Sequence, residues 1–247
     1  MRRTLAIVIL AALVFGAGGA QAQQSANGKG ARLYAVNCSM CHGDRGQGIQ
    51  PARPTSGGRI GLGPSLQGVG ALAADFYLRT GYMPLLDPYK QPRRSRPSFT
   101  DAQIDALVAY VASFGTGPAI PQPQPENGNV AAGLRLFTQH CAGCHQVVGQ
   151  GGFLTGGVAP SLKDATPVQI AEAVRAGPYL MPRFSETALP DAELDSIIAY
   201  VEQAKRPDDR GGWGIGHIGP IPEGMITWFL AAVVLVGTCV VIGRRGS

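Results

Sequence analysis

The chain is poor in aromatic residues and in charge for its length of 247 residues. Aromatic side chains make up 7% of it and charged ones 15%, whereas it has 35 glycines and 19 prolines, a balance that favours small, loop-rich modules over one large core. The net charge of +5 indicates no basic surface, because four of the arginines lie in the terminal pairs Arg2–Arg3 and Arg244–Arg245. We therefore expect no nucleic-acid partner.

Histidine and cysteine are also scarce, with four and five residues, and most of them fall in two pentapeptides. These are CSMCH, residues 38–42, and CAGCH, residues 141–145. Cys-x-x-Cys-His is the attachment signature of c-type haem, in which two thiols bond the vinyl groups and the histidine is the proximal iron ligand. A zinc site would need more cysteine or histidine ligands than the chain offers, and a redox dithiol pair has no need of the histidine. The two motifs predict two covalently bound haems c.

The two pentapeptides belong to a tandem duplication. GARLYAVNCSMCHG (30–43) matches GLRLFTQHCAGCHQ (133–146), and TDAQIDALVAYV (100–111) matches PDAELDSIIAYV (190–201). The offset between the copies falls from 103 to 90 residues along the repeat, so repeat one carries extra loop residues.

Each copy has the hydrophobic period of helices. Apolar residues recur at i, i+3, i+4 and i+7 in 104–111 and again in 194–201, and strand-like alternation is absent. We predict an all-α fold with two tandem domains at 27–115 and 129–205. The proline-rich stretch 116–128 between them predicts a semi-rigid linker.

The N-terminus has the pattern of a secretory signal peptide. Residues 1–22 comprise a basic start, an apolar stretch from Leu5 to Phe15, and an A-x-A-like site at Ala20-Gln21-Ala22. The apolar stretch is short for a membrane span, so we expect cleavage before Gln23, with an uncleaved signal anchor as the alternative.

The C-terminus predicts a single transmembrane helix at 225–243, after a pre-membrane segment at 206–224 that has no periodic pattern. Residues 226–243 carry no charge and are just numerous enough to cross a bilayer. Arg244–Arg245 follow them, which by the positive-inside rule predicts a cytoplasmic C-terminus and extracytoplasmic haem domains in the cell membrane. Cys239 within this run is interpreted as a small apolar residue of the helix.

Methionine is the usual second axial ligand of haem iron in electron-transfer cytochromes, and the chain has only five methionines. Met1 would leave with the signal, Met40 lies inside an attachment motif, and Met225 borders the membrane. Met83 and Met181 remain, one in each repeat, each followed by proline and placed 41 and 36 residues after its histidine. We therefore predict Met83 and Met181 as the sixth iron ligands.

Other polar side chains are weaker candidates for a role at the haems. His140 lies on the proximal side of its attachment motif and His217 lies outside both repeats, so a surface or interface role is expected for each. Arg79 and Arg175 precede the methionines in equivalent places, where a guanidinium would suit a haem propionate or a helix C-terminus equally well. The basic loop 87–97 is expected to be solvated, with steering of an acidic partner as the alternative.

With these residues the chain resembles the dihaem cytochrome c subunit of the actinobacterial-type menaquinol–cytochrome c reductase, the cytochrome bcc complex. The resemblance spans nearly the whole mature chain and rests on the two CxxCH motifs, on GPSLQGVG, TGYMP and GPYLMPRFS, and on GWGIGHIGPIPEGM before the membrane helix. It implies two tandem class I cytochrome c domains with a C-terminal anchor. By motif match, haem one would take Cys38, Cys41, His42 and Met83, and haem two would take Cys141, Cys144, His145 and Met181.

The resemblance also implies partners and a path for electrons. The partners would be a cytochrome b subunit, a Rieske iron–sulfur subunit and, in a supercomplex, a terminal cytochrome c oxidase. One haem domain would accept electrons from the Rieske cluster and the other would pass them to the oxidase. The chain would then be an electron-transfer subunit of a quinol–cytochrome c reductase without a substrate site of its own.

Two alternatives remain open on the residues alone. The first is an anchored dihaem cytochrome c of another electron-transfer complex, such as an oxidase or dehydrogenase subunit. The second is a dihaem peroxidase, which would need one iron without a strong distal ligand. The matched pair Met83 and Met181 argues against the second alternative.

Overall fold

The computed structural model describes residues 28–49, 63–85, 91–206 and 220–245. By its contacts the chain divides into a unit up to Lys205, which contains both repeats, and a second unit from Arg206 onwards. The predicted signal peptide, His217 and residues 207–219 of the predicted pre-membrane segment lie outside the described residues.

Repeat one is built from helices. Its described elements are α1 over residues 28–37, α2 (Ser39–His42), α3 (Gly70–Arg79) and α4 (Asp101–Ala112). α4 begins with a capping box, in which the backbone N–H of Thr100 donates to Oε1 of Gln103 at 2.9 Å. The buried face of α4 includes the four residues whose spacing predicts the helix: Ile104, Leu107, Val108 and Val111.

Repeat two has corresponding helices in the same order and one added feature. Its elements are a 3₁₀ turn (Pro125–Asn127), α5 (Val130–His140), α6 (Ala142–His145), β1 (Gly152–Leu154), β2 (Gly157–Ala159), α7 (Pro167–Ala176) and α8 (Asp191–Lys205). The strands form an antiparallel hairpin with Phe153 opposite Val158, and Gly156 in its turn has a φ of 86°. Strands of three residues are too short to show an alternating pattern, so the sequence does not predict this hairpin. The all-α class is confirmed apart from it.

In each repeat the first and last helices cross at a glycine. Gly30 of α1 lies against α4, where a Cβ atom would overlap the carbonyl oxygen of Ala106. Gly133 of α5 lies against α8, where a Cβ atom would overlap the carbonyl oxygen of Ser196. Aromatic rings pack beside each crossing with centroids 5.4 Å apart: Tyr34 with Tyr110, and Phe137 with Tyr200. The same close helix crossing therefore shapes both domains.

The two domains contact each other through equivalent helices, because α3 of repeat one packs against α7 of repeat two. Each domain nevertheless keeps its own buried core. The linker runs along both of them: the carbonyl of Pro118 accepts from the N–H of Leu72 at 3.1 Å, and the carboxylate of Asp195 accepts from the N–H of Gln124 at 2.8 Å. Both ends of the linker are therefore held by domain contacts.

The second unit contains one long apolar helix, α9 (Pro220–Arg245). Within the described part of the chain, it is the one helix long and apolar enough to cross a membrane, over the 22 residues Gly224–Arg245. At a rise of about 1.5 Å per residue, such a helix spans the roughly 30 Å hydrocarbon core of a bilayer. The fold thus includes the predicted C-terminal membrane helix, whereas the other domain boundaries stay predictions.

Candidate haem sites

The two CxxCH motifs have the same backbone conformation. Cys38 and Cys141 have nearly identical dihedral angles, φ −125° and ψ −34° in one and φ −122° and ψ −37° in the other, and each is followed by a short helix. In both motifs the backbone N–H of the histidine donates to the carbonyl of the first cysteine at 2.9 Å. The two thiols of each motif therefore lie on a single helical turn that ends at the histidine.

Each motif histidine is oriented by a proline carbonyl. Nδ1 of His42 lies 2.8 Å from the carbonyl oxygen of Pro64, and Nδ1 of His145 lies 3.0 Å from that of Pro160. A carbonyl only accepts, so Nδ1 carries the proton and Nε2 keeps the lone pair that a metal ligand needs. Burial lowers the pKa of His145, more than this hydrogen bond raises it, which also favours the neutral imidazole.

These proline carbonyls are site components that the sequence reasoning did not identify. The sequence does contain a signal, since Pro64 in GPSL and Pro160 in APSL lie at matching places of the two repeats. Every residue has a backbone carbonyl, so the sequence does not show which carbonyl accepts a hydrogen bond from the histidine. The repeated motif indicated only a shared backbone conformation.

The first thiol of each motif is poorly suited to redox chemistry as a dithiol. Burial, and then the neighbouring cysteine of the motif, raise the pKa of Cys38 and of Cys141 to about 11 in each case. Reactive cysteines in dithiol oxidoreductases have instead a lowered pKa that stabilises the thiolate. Cys38 and Cys141 thus lack the electrostatics of a reactive redox thiol.

The two methionines chosen from the sequence are placed alike. Met83 is partly buried against the core of repeat one and Met181 against the core of repeat two, and the first motif cysteine packs against the same core in each repeat. Met40 and Met225, by contrast, are 80% and 69% exposed. The assignment of Met83 and Met181 as iron ligands stays a prediction.

One apolar cavity brings together the residues predicted for haem two. Cys141, Cys144, His145 and Met181 all line it, with apolar side chains such as Phe137 around them. Two soft thiols, one neutral imidazole and one thioether in a single apolar cavity are the donor set that fits a covalently bound haem c. The equivalent residues of repeat one have the same local conformation and core contacts, as described above.

The cavity of repeat two has a wall made by repeat one. The residues of repeat one that line it are Phe76 and Tyr77 of α3, Thr80 at the C-terminal end of that helix, Tyr82 next to Met83, and Gln91, Pro92 and Arg94 of the basic loop. Burial raises the pKa of Tyr77 and of Tyr82, although Arg94 opposes the shift at Tyr82, so both phenols stay neutral. The site in repeat two is therefore completed by the other domain, which no feature within either repeat predicts.

The arginines that precede the two methionines pair with carboxylates of their own domain. Arg79 binds Asp75 at 2.8 Å, and Arg175 binds Asp191 at 2.6 Å. The remaining donors of Arg175 bond to backbone carbonyls, including that of Leu189 at 2.8 Å. The two roles open from the sequence, at a haem propionate or at a helix C-terminus, stay predictions.

His140, the other histidine within the described residues of repeat two, lies at the edge of the same cavity. Its exposed ring stands 6.0 Å from the ring of Phe184, measured between centroids. This placement agrees with the expected surface or interface role.

Two side chains of the basic loop fasten repeat one to repeat two. The amide of Gln91 donates to the carbonyl of Val158 and accepts from its N–H, both at 2.8 Å. The guanidinium of Arg94 donates to the carbonyl of Asp164 at 2.8 Å and to the side-chain oxygen of Gln169 at 2.7 Å. The loop was expected to be solvated, and for these two residues that expectation is wrong. Their hydrogen-bond acceptors are oxygen atoms of repeat two, which come close only through domain packing.

Replacing both residues, as Gln91→Ala with Arg94→Ala, is expected to loosen the domain contact. Bonds from a charged donor are each worth about 1.5–3 kcal/mol, so amide exchange in β2 and at the start of α7 should accelerate at least roughly tenfold. Hydrogen–deuterium exchange of the full chain in detergent measures this. Arg93→Ala, which removes an exposed arginine of the same loop, is the matched control and should leave exchange unchanged. Equal exchange in the double variant and the parent would contradict the fastening role.

The two repeats match known families separately. Residues 28–115 match the family described as cytochrome c, and residues 128–201 match the family described as cytochrome c oxidase, cbb3-type, subunit III. Cytochrome c domains carry covalently bound haem c, in agreement with the attachment motifs. Two such domains and a C-terminal membrane helix define the chain as a tandem-domain, membrane-anchored cytochrome c.

Whole-chain relatives identify the family more closely. The cytochrome bc1 complex cytochrome c subunit of Corynebacterium diphtheriae is 37% identical over 243 residues, covering 91% of this chain and 83% of the relative. The subunit of the same description from Mycobacterium bovis is 38% identical over 226 residues, covering 87% and 77%. The chain therefore belongs to the family of cytochrome c subunits of the cytochrome bc1 complex, and its role is electron transfer. A Cbb3-type cytochrome c oxidase subunit of Azospirillum is also similar, at 31% identity over 70% of this chain and 60% of the relative.

Proposed function

We propose that this chain is the dihaem, membrane-anchored cytochrome c subunit of a respiratory menaquinol–cytochrome c reductase. It relays electrons from a Rieske iron–sulfur centre to a terminal cytochrome c oxidase. The cytochrome b and Rieske subunits are its direct partners, and the oxidase joins them in a supercomplex. Whole-chain similarity to bc1-complex subunits supports the assembly, and the arrangement of the two sites supports the relay.

Each domain holds one haem through an equivalent set of four side chains. The proposed set in repeat one is Cys38, Cys41, His42 and Met83, and in repeat two Cys141, Cys144, His145 and Met181. When bound, haem c supplies a one-electron iron couple. The protein's part is to fix the imidazole tautomer through the proline carbonyls and to hold the thioether against an apolar core.

The observation that carries the relay is the shared wall between the two sites. Tyr82 lines the cavity of repeat two, and its neighbour in sequence is Met83, the proposed iron ligand of repeat one. The loop that holds the distal side of one site is therefore also part of the boundary of the other. Such an arrangement keeps two redox centres close without a diffusing carrier between them.

The membrane helix supports a fixed position for this relay. A single C-terminal span with Arg244–Arg245 at its end favours a cytoplasmic C-terminus and extracytoplasmic haem domains. The domains would then face the side of the membrane on which quinol oxidation releases electrons to a Rieske centre. A subunit anchored in this way stays in reach of both partners.

Affinity purification of the full chain in mild detergent, with identification of every co-purifying subunit and haem type, tests the proposal. We expect a cytochrome b subunit and a Rieske subunit to co-purify, and a terminal oxidase to co-purify as well at a lower detergent concentration. Recovery of an oxidase without these two subunits would favour the second candidate, a cytochrome subunit of the oxidase itself, for which the similarity to cbb3-type subunits is the supporting observation. A reduced spectrum that carbon monoxide leaves unchanged would count against a peroxidase.

The haem count gives a separate prediction. Replacing Cys141 and Cys144 together by alanine should halve the covalent haem content of each chain, from two to one, because repeat one keeps its own motif. Haem content per chain after denaturation measures it. Cys239→Ala removes an exposed cysteine of the membrane helix and should leave two haems. A parent chain with one haem, or a double variant with two, would contradict the assignment.

A further inference from the structure

A buried carboxyl pair lies where the two cytochrome c domains meet. Glu172 of α7 is 0% exposed and Asp75 of α3 is 4% exposed, and these are the two helices that pack against each other between the repeats. Within the described residues, no N–H or O–H group donates a hydrogen bond to either carboxylate oxygen of Glu172. The pair thus occupies the interface itself and not the core of either domain.

The neighbours of the pair in sequence line the haem-two cavity. Ala173 follows Glu172 and Phe76 follows Asp75, and both belong to the cavity wall. The offset that aligns Arg79 with Arg175 also aligns Phe76 with Glu172, so repeat two has an acid where repeat one has an aromatic ring. Glu172 therefore has no acidic counterpart in repeat one, and the shared cytochrome c fold does not require an acid at this position.

A buried carboxylate without a partner is unstable, and the nearby charges do not offset it. Burial, the charge of Asp75 and the hydrogen bond that a protonated Glu172 makes to Asp75 together raise the pKa of Glu172 to about 9, and Arg79 only partly opposes the shift. Arg79 is shared among three carboxylates, since it binds Asp75 at 2.8 Å, Asp101 at 3.0 Å and Asp105 at 2.5 Å. One cation therefore faces four acids.

Among the described residues, no further cation from the elements packed on α7 offsets the charge of the pair. On α8, Asp191 is bound by Arg175, and Lys205 binds Glu202. The guanidinium of Arg94 reaches α7 from the basic loop, but it donates to a carbonyl oxygen and to an amide oxygen. Neutralisation of the pair must then come from a bound proton.

We propose that Glu172 and Asp75 together form a proton-binding site at the α3–α7 interface, and that the single proton they share keeps the two cytochrome c domains packed at neutral pH. The protonated Glu172 is placed to donate to the Asp75 carboxylate, which accepts from Arg79 on its other side. Loss of the proton to solvent leaves two adjacent carboxylates in a dry interface and favours its opening. The proton site is independent of the proposed partners and of the direction of electron flow.

The pH dependence follows from the direction of the shift. In the packed interface the carboxyl of Glu172 keeps its proton up to a pH of about 9, whereas in the opened interface it ionises at the usual value of 4.5. Between these limits the packed form binds one proton more than the open form. The interface therefore loses stability as the pH rises from 4.5 to about 9. Over this range the equilibrium constant for opening of the interface increases about tenfold per pH unit.

Two measurements on the purified full chain test the site. Infrared spectra should show the C=O band of a protonated carboxylic acid at pH 7, which moves in D₂O, fades as the pH approaches 9–10 and is missing in Glu172→Gln. Hydrogen exchange of α3 and α7, corrected for the intrinsic pH dependence, should show protection that falls about 100-fold from pH 6 to pH 8 in the parent but not in Glu172→Gln. Glu193→Gln, which changes an exposed glutamate on α8, should behave as the parent in both.

The parent chain alone is enough to overturn the proposal. If it has no carboxylic acid band at pH 7, or a band that Glu172→Gln retains, Glu172 does not hold the proton. If the protection of parent and Glu172→Gln falls in parallel with pH, the proton is not linked to domain packing. Should Glu172→Gln fail to accumulate, the titration of the band and of the protection in the parent still decides the question.

Discussion

Replacing Met181 by alanine is expected to convert one haem of the chain from low to high spin and to lower its reduction potential. The drop should be on the order of 0.1 V or more, within the ~0.8 V range that axial ligands span. The reason is the loss of a thioether that stabilises ferrous iron, from a residue held against the core of repeat two and lining its cavity. Both covalent attachments should remain, because neither depends on the methionine. Optical and electron paramagnetic resonance spectra with a redox titration measure the effect.

The controls for this prediction come from the chain itself. Met40→Ala changes a methionine that lies between two haem-binding cysteines but is 80% exposed, and should leave spectrum and potential as in the parent. Met83→Ala should have the same effect as Met181→Ala on the other haem. The potential of the altered haem then identifies which repeat carries which centre. A Met181→Ala chain with unchanged spectrum and titration would refute the ligand assignment.

Replacing Gly133 by valine is expected to destabilise repeat two by about 3 kcal/mol or more, at the upper end of overpacking effects. The added Cβ would overlap the carbonyl oxygen of Ser196 and come within 2.9 Å of Cβ of Tyr200, so the α5–α8 crossing would have to open. Because the carbonyl is backbone, a change of rotamer cannot relieve the overlap. The guanidinium midpoint for repeat two should fall by about 1 M, and haem loading there should fall with it.

Two other glycines serve as comparisons. Gly30→Val should do to repeat one what Gly133→Val does to repeat two, since the crossing is the same. Gly143→Ala changes a helical glycine with open space around it, and repeat one has Met40 at the equivalent place, so we expect no loss of stability. Equal unfolding midpoints for Gly133→Val and the parent would show that the two helices can separate without cost.

Much of the fold and the chemistry of each site could be predicted from local pattern. The haem signature requires two cysteines and a histidine at fixed spacing on one helical turn, so the motifs CSMCH and CAGCH by themselves indicate haem attachment. The helix of repeat one that begins at Asp101 was predicted by apolar residues at helical spacing. Met83 and Met181 were found because only five methionines exist and the repeat pairs two of them.

The contacts between the domains could not be predicted in this way. Gln91 and Arg94 lie in a basic, polar segment whose sequence is typical of a solvated loop. Their hydrogen-bond acceptors lie about 70 residues away in the sequence, on a strand and a helix of the other repeat. The hairpin at 152–159 was missed because its strands have three residues each. The ion pairs of Arg79 with Asp101 and of Arg175 with Asp191 were also not predicted, because each joins two different helices.

The sequence by itself determined that each repeat carries a haem-attachment motif, that the repeat occurs twice, and that a C-terminal helix follows. These features depend on interactions between residues close in the chain or on the chemistry of rare residue types. Local spacing and rare residue types can both be identified from the sequence alone. The tertiary structure alone decided that equivalent helices meet, that repeat one forms a wall of the cavity in repeat two, and that Glu172 is buried beside Asp75. Those facts depend on which surfaces bury each other, and burial is what turns an ordinary glutamate on a helix into a group that must hold a proton.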